Sequence, residues 1–316
     1  MDDDSISTDN GSVVIYTTAE LLKRGLLLVN YTRRRIRRAK KKRNLERFVG
    51  HFGANPTIVA QIWEDLQTTN DDAAYLVPDD RNIDHLFMAL HHLKRCPTEL
   101  EREPIFDVDC TSGKDFVRFF IQKVKALKHE KIRWPDNNFG NDIWAITVDG
   151  THIWIEEPQH PTWSQDSKCC SHKHGSSGMS YELGISISTS KLVWINGPFP
   201  AGRSDNSIFK KDGLKAKLES MGKRCIGDGG YPGHPKVLST PNEHDSKPVR
   251  VFKSRALKRH ETFNGMVKRF DCLSSRFRHS ADWLEDCFEA VCVVCQHQCD
   301  FDQPLFDVLV DGLLEK

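Results

Sequence analysis

The chain has 316 residues, 38% of them hydrophobic and 28% charged, with a formal net charge of +1. That length supports a sizeable core and more than one domain, and so balanced a charge names no partner by itself. No run approaches the roughly 18 apolar residues of a membrane span, and the acidic start (Asp2, Asp3, Asp4) is no secretory signal, so a globular protein acting away from the membrane is expected.

Residues 1–12 are polar and read as disordered. Residues 13–30 form a short amphipathic stretch, followed by a run from Arg33 to Arg43 that is nearly all basic. That run reads as a solvated segment, a nuclear address or a phosphate-binding arm. Residues 1–44 are therefore expected to be a disordered or basic N-terminal arm. Leu45 to Leu66 carries Phe48, Phe52, Ile58, Val59, Ile62 and Trp63 at helical spacing, broken at Asn55-Pro56. A helix, a turn and a second helix follow, with Pro56 placed to begin the second. Asn82 to Lys94 reads as a further helix that ends at Pro97-Thr98-Glu99. Thr111-Ser112-Gly113-Lys114 then opens another, carrying Phe116, Val117, Phe120, Val124 and Leu127. Two helices on a short connection, the second bearing Lys114 and Arg118, fit a helix-turn-helix-like DNA-binding region over residues 45–135 or a plain helical bundle.

After Pro135 the periodicity changes to that of strands. Strands are expected over 143–148 (continuing to 155), 181–188, 192–196, 224–227 and 249–252, with a tight turn at Ser190-Lys191. Helices are expected over 206–221 and around Glu261, continuing through Met266, Val267 and Phe270. Three hairpin strands, a helix, a strand, another strand and then helices match the ribonuclease-H-like order. Residues 140–316 thus read as an α/β, mixed-sheet catalytic domain preceded by the all-α region.

Four acids stand in short signatures: Asp149 in Val148-Asp149-Gly150-Thr151-His152, Asp205 in Gly202 to Ser207, Asp228 in Gly227-Asp228-Gly229-Gly230-Tyr231, and Glu261 in Arg259 to Asn264. A carboxylate at the end of an apolar strand or before a glycine turn has given up solvent and needs a counter-charge. Several converging make an all-oxygen site for Mg²⁺ or Mn²⁺. Such a site suits phosphoryl transfer with two metals about 3.5–4 Å apart. Asp205 also reads as the N-cap of the helix beginning at Asn206. Lys268, about two helical turns past Glu261, and the basic strip Lys253, Arg255, Lys258 and Arg259 are candidates for contact with DNA phosphate. His152 and Tyr231 read as supports for the site or as packed neighbours.

Ten cysteines without a signal argue for free thiols in a reducing compartment. Cys287, Cys292, Cys295, His297 and Cys299 read either as a zinc site or as the buried stripe of a helix. Cys169, Cys170, His172 and His174 form a second cluster in a polar loop.

The four signatures, in this order and spacing, resemble the catalytic domain of PIF/Harbinger transposases, a branch of the DDE superfamily, and of endonucleases derived from them. The likeness covers residues 143–208 and 223–269, and more loosely the helices from Phe48 onward. The interval from Asp228 to Glu261 is similar to the superfamily's interval between its second Asp and its Glu, which favours Asp149, Asp228 and Glu261 as the catalytic acids, with Asp205 as a further ligand or as a residue orienting the ligands. His260 stands where the family usually has Arg, and two cysteines crowd Ser171-His172-Lys173, which resembles a family motif near the DNA. The resemblance implies a nuclear DNA endonuclease or strand transferase, with a separate Myb-like protein as a partner. The alternatives are a catalytically silent DNA-binding protein derived from a transposase and a phosphohydrolase of small substrates; the helical region and basic arm argue against the latter. Target sequence and oligomeric state, including any homo-oligomer, are left open.

Overall fold

A computed structural model describes residues 14–68, 77–137, 139–140, 142–156, 170–171 and 175–308. The helical region comes first. Thr17 caps α1 (Thr18–Leu28) through a reciprocal box with Glu20. Next come α2 (Arg33–Arg38), α3 (Lys41–Phe52) and α4 (Pro56–Thr68). The expected arm over 1–44 is corrected for its described part. Leu21 and Leu26 of α1 are fully buried, and Gly25 lets α1 approach the Phe48 and Phe52 rings so closely that a Cβ would collide. Apolar burial against α3 outweighs the neighbouring positive charge. The basic run itself is α2 plus the start of α3, with Arg35 and Arg47 over the Tyr31 ring.

α5 (Ile83–Arg95) and α7 (Cys110–Ala126) pack on each other. The connection between them, expected to be short, is not. It contains α6 (Glu99–Phe106), which is capped by the box Thr98/Glu101. α8 (Lys128–Lys131) closes the region.

The sheet is built on β1 (Trp144–Trp154). β2 (Cys170–Ser171) pairs with the start of β3 (Ser176–Ser186), and β3 turns through Ser190 into β4 (Leu192–Pro200). β5 (Arg224–Ile226) and β6 (Leu238–Ser239) complete it. The lateral order is β4-β3-β1-β5-β6, with β3 antiparallel to both neighbours and β5 and β6 parallel to β1. The first long strand therefore lies beside the one that follows the helices, in a mixed sheet compatible with a ribonuclease-H-like domain.

Two expectations are corrected. Residues 206–221 are two helices, α9 (Asp205–Lys211) and α10 (Leu214–Ser220), parted at Gly213 with φ +101°. Residues 249–252 are no strand; they lie in α11 (Lys247–Val267), with Pro248 in its first turn. Their β-branched run looks extended locally. Phe252, Ala256, Phe263 and Val267 are nonetheless buried at helical spacing, and that burial decides. The fifth strand of the main sheet is β6.

After α11, the short α12 (Asp271–Ser274) leads to α13 (Ala281–Phe301). One large apolar cluster joins α1–α7, the end of α11, α12, α13 and the sheet face bearing Ile153, Tyr181, Leu183 and Ile185. Tyr181 stacks on Phe288 with ring centroids 3.6 Å apart. Lys125 bridges Glu285 and Asp286, and Asp65 meets Lys131 and His297, so charge ties α4, α7 and α8 to α13. A smaller cluster fills the opposite face beneath α9 and α10, with Ile146, Val148, Phe209, Leu218 and Tyr231. The described residues contain no helix long and apolar enough to cross a membrane.

Candidate active site

Side chains alternate along β1. Thr147, Asp149 and Thr151 share one face, whereas Ile146, Val148, Gly150 and His152 share the other. The parallel register sets Thr147 beside Ile226, so Asp228 emerges two residues beyond β5 next to Asp149. Asp228 is held in its turn by the Gly230 amide, which donates to Oδ1 at 2.8 Å.

α11 covers the Asp149 face. His260 is fully buried and pairs through Nδ1 with the Thr147 hydroxyl at 2.9 Å. One turn on, Asn264 donates from Nδ2 to Asp149 Oδ2, also at 2.9 Å, while the Gly150 amide donates to Oδ1. Glu261 lies between these two anchors, on the exposed side of the helix.

Asp205 reaches the site from the other face. Its carboxylate rests against Gly150, where any Cβ would collide with it. Only glycine admits this approach. Asp205 is not the N-cap of α9. Ser204 is, accepting from the Ser207 amide.

These acids act on one another. Burial, then Asp228, Asp205 and Glu261, push the Asp149 carboxyl up to about 7. All donors are carboxylate oxygens, the chemistry that suits a hard divalent cation. As they stand, the described residues bring no three His, Cys, Asp or Glu side chains close enough to share one ion. The acids repel across a common space without closing on a point.

The basic candidates divide. Lys258 and Lys268 are exposed on α11 and its C-cap. Lys114 is exposed beside Glu99, 3.3 Å away, and Arg118 lies over Trp283. Arg259 and Lys253 are corrections. Arg259 is fully buried and donates to the carbonyls of Ser186 and Ile187 and to the Ser190 hydroxyl. Lys253 is buried against Asp245, at 2.8 Å, and Thr240 O. Neither is presented to DNA, because both lie on the inner side of α11. Arg255 donates to Asp307 O.

Tyr231 is a packed neighbour, edge-on to Phe209, and the His152 ring lies against Gly178. Cys287, Cys292, Cys295 and Cys299 are buried along α13 as core thiols, and burial raises their pKa. Cys170 is exposed, while Cys169, His172 and His174 lie outside the described residues.

The sequence reading assigned no role to two residues here. Asn264 is one. The other is Glu182 on β3, paired with Gly150, 2% exposed, with Trp194 donating to Oε1 and no partner on Oε2. The Asn196 side chain also hydrogen-bonds Glu182, so it is not without polar contacts; its signal was a lone acid inside the apolar strand around Tyr181.

The central strand thus carries one acid, with a second after its parallel neighbour and a third on the covering helix. Residues 148–296 match the family described as DDE superfamily endonuclease. The matched span runs from the strand bearing Asp149 into α13 and includes all four acids; it supports the superfamily. No curated protein and no solved structure matches the chain.

Proposed function

We propose that this chain is a divalent-metal-dependent DNA endonuclease or strand transferase of the PIF/Harbinger branch, a transposase or an enzyme derived from one, acting in the nucleus. One observation carries this reading. Four acids from β1, the turn after β5, α9 and α11 converge so that Asp149 is pushed up to about 7 by its own burial and by the other three. A carboxyl pushed up by burial and by neighbouring acids is the kind of perturbed group that marks a candidate functional site.

Asp149, Asp228 and Glu261, with Asp205, are the residues that would hold Mg²⁺ or Mn²⁺. Bound there, two such cations would acidify the attacking water or 3′-hydroxyl and neutralise charge on the scissile phosphate and leaving oxygen. The protein's own work is placement. Asn264 and the Gly150 amide fix both oxygens of Asp149. The His260–Thr147 contact fixes α11 on β1 and hence the approach of Glu261. In hydrolysis the water oxygen bonds to phosphorus as the P–O3′ bond breaks, leaving a 3′-hydroxyl and a 5′-phosphate. Lys258 and Lys268 lie on the covering helix, suited to backbone phosphate.

The test is nicking of supercoiled DNA with Mg²⁺ or Mn²⁺, wild type beside Asp149→Ala, Asp228→Ala, Glu261→Ala and Asp205→Ala. Metal-dependent cutting lost in the first three supports the reading, and the Asp205 variant separates ligand from bystander. The second reading, a silent DNA-binding descendant, is favoured by the acids standing too far apart to share an ion. DNA binding without cutting, also in the presence of a Myb-like partner, would select it.

A further inference from the structure

A cleft of about 570 Å³ opens away from the carboxylates, between α6, α7 and the turn entering α13. Its lining is basic: Arg102, Lys114, Arg118 and Arg278, with His279 and Trp283. One acid, Glu99, faces in, and it pairs with Lys114. The informative residue is Arg102. It is 4% exposed, and its Nη2 meets no acceptor among the described residues. Gly113 makes room for it on α7, since a Cβ there would stand 3.3 Å from Nε. Glu99 acts on it electrostatically, but a buried guanidinium nitrogen left without an acceptor is costly until a partner arrives. Contrast Arg259, equally buried but bonded to carbonyl oxygens of the β3–β4 turn.

The other cations are held loosely. Arg118 lies over the Trp283 ring at 5.5 Å, and Arg278 makes one bond, at 3.3 Å, to Cys96 O. Both are exposed and keep N–H groups for a ligand. A guanidinium fork suits the paired oxygens of a phosphate.

The cleft is tied to the catalytic strand. Phe277 donates to Trp154 O and bridges Ile155, so Arg278 and His279 extend from the far end of β1. From Asp149 to Ile155 the strand runs about 20 Å, roughly six steps along a DNA strand.

We propose that this cleft is a phosphate-binding site that takes a backbone phosphate of the DNA flanking the cut, held by Arg102, Arg118 and Arg278. The proposal rests on the reading of the chain as a DNA-acting enzyme. Such a contact fixes register on the duplex and reads no sequence.

The test is binding of a short labelled duplex to the full chain in EDTA, across a salt series, where no chemistry intervenes. The Arg118→Ala/Arg278→Ala double variant should lower the slope of log affinity against log salt by about 0.9 for each phosphate it no longer neutralises. Arg102→Met should lower the slope as well, yet melt no lower than wild type, because it removes a desolvated cation whose Nη2 has no acceptor among the described residues. A structural arginine would show the opposite. An unchanged slope in both variants overturns the proposal, as does an Arg102→Met protein that melts well below wild type with its slope intact. Inorganic phosphate, titrated against the melting temperature, separates the sources. Stabilisation of wild type but not of the double variant, with DNA binding unaffected by the substitutions, would make the site one for free phosphate and overturn the DNA assignment. Plasmid nicking is scored separately. A chain that binds through the cleft and never nicks sinks the nuclease reading alone, and one that nicks with the slope unmoved sinks the cleft alone.

Discussion

The inner side of α11 and the acidic end of β1 both take charge out of solvent, the first fully and the second only in part at Asp149, and they treat it in opposite ways. On α11, Lys253 meets Asp245 and a carbonyl, and Arg259 meets two carbonyls and a hydroxyl. Only Nε of Arg259 lacks an acceptor. Around Asp149 the charged neighbours are other acids. Charge in the first region is neutralised by the fold and holds the helix to the sheet. Charge in the second is disfavoured by burial and by the neighbouring acids, which raise the Asp149 pKa. Burial alone therefore does not mark a candidate functional residue; burial among like charges is the stronger pointer.

The sharpest way to break that contrast is Asp149→Asn. Cutting should fall by at least about 10³-fold. Without metal, at neutral pH, the variant should melt higher than wild type, because it relieves repulsion from Asp228, Asp205 and Glu261. An Asn variant that melts lower would put Asp149 in the same class as Arg259. Next in size is Arg259→Met, which strands the carbonyls of Ser186 and Ile187. It should lose about 3 kcal/mol in urea unfolding while leaving the salt slope of DNA binding unmoved. A changed slope would return Arg259 to the DNA-facing set.

The same contrast has a pH signature. Asp149 and Glu182 are both pushed up to about 7, chiefly by burial. Their folded pKa lies above that of the unfolded chain, so the folded protein holds protons that the unfolded chain has released. Their contribution to stability is full below about pH 4, declines as pH rises, and is lost once pH passes about 7. Glu182→Gln should be increasingly more stable than wild type across that window. The gap should reach about 3 kcal/mol and then stay constant. A gap that does not vary with pH would mean Glu182 is ionised throughout.

Much of this was legible in the chain and some was not, for physical reasons. Asp149 at the end of an apolar run and Asp228 before paired glycines announce themselves, because strand burial and turn chemistry are local. Their adjacency follows from strand order. α6 was missed because its charged sequence, with Pro104 inside, shows little periodicity, and its capping box alone marks it. β6 is two residues long and owes its existence to β5. Arg259 and Lys253 looked like a surface strip because neighbours in sequence do not reveal which side of a helix faces the sheet. Glu182 and Arg102 are similar cases: whether a charged side chain is partnered depends on elements far away in the chain.

Asn264 gives the smallest predicted effect and the finest test of the contrast. Its side chain donates to Asp149 Oδ2, and its own Oδ1 is buried without a partner among the described residues. That bond favours the charged form of Asp149, against burial and three acids. Asn264→Ala should therefore raise the Asp149 pKa further and loosen its carboxylate. Cutting should fall about tenfold, equivalent to about 1.4 kcal/mol, with the acid limb of the pH–rate profile moved to higher pH. Residue 264 faces β1 from α11, so a purely structural role would lower the melting temperature and leave the profile in place. A shifted limb at nearly unchanged stability would assign Asn264 to tuning the acid, and would mark the point where the neutralised side of α11 meets the charged end of β1.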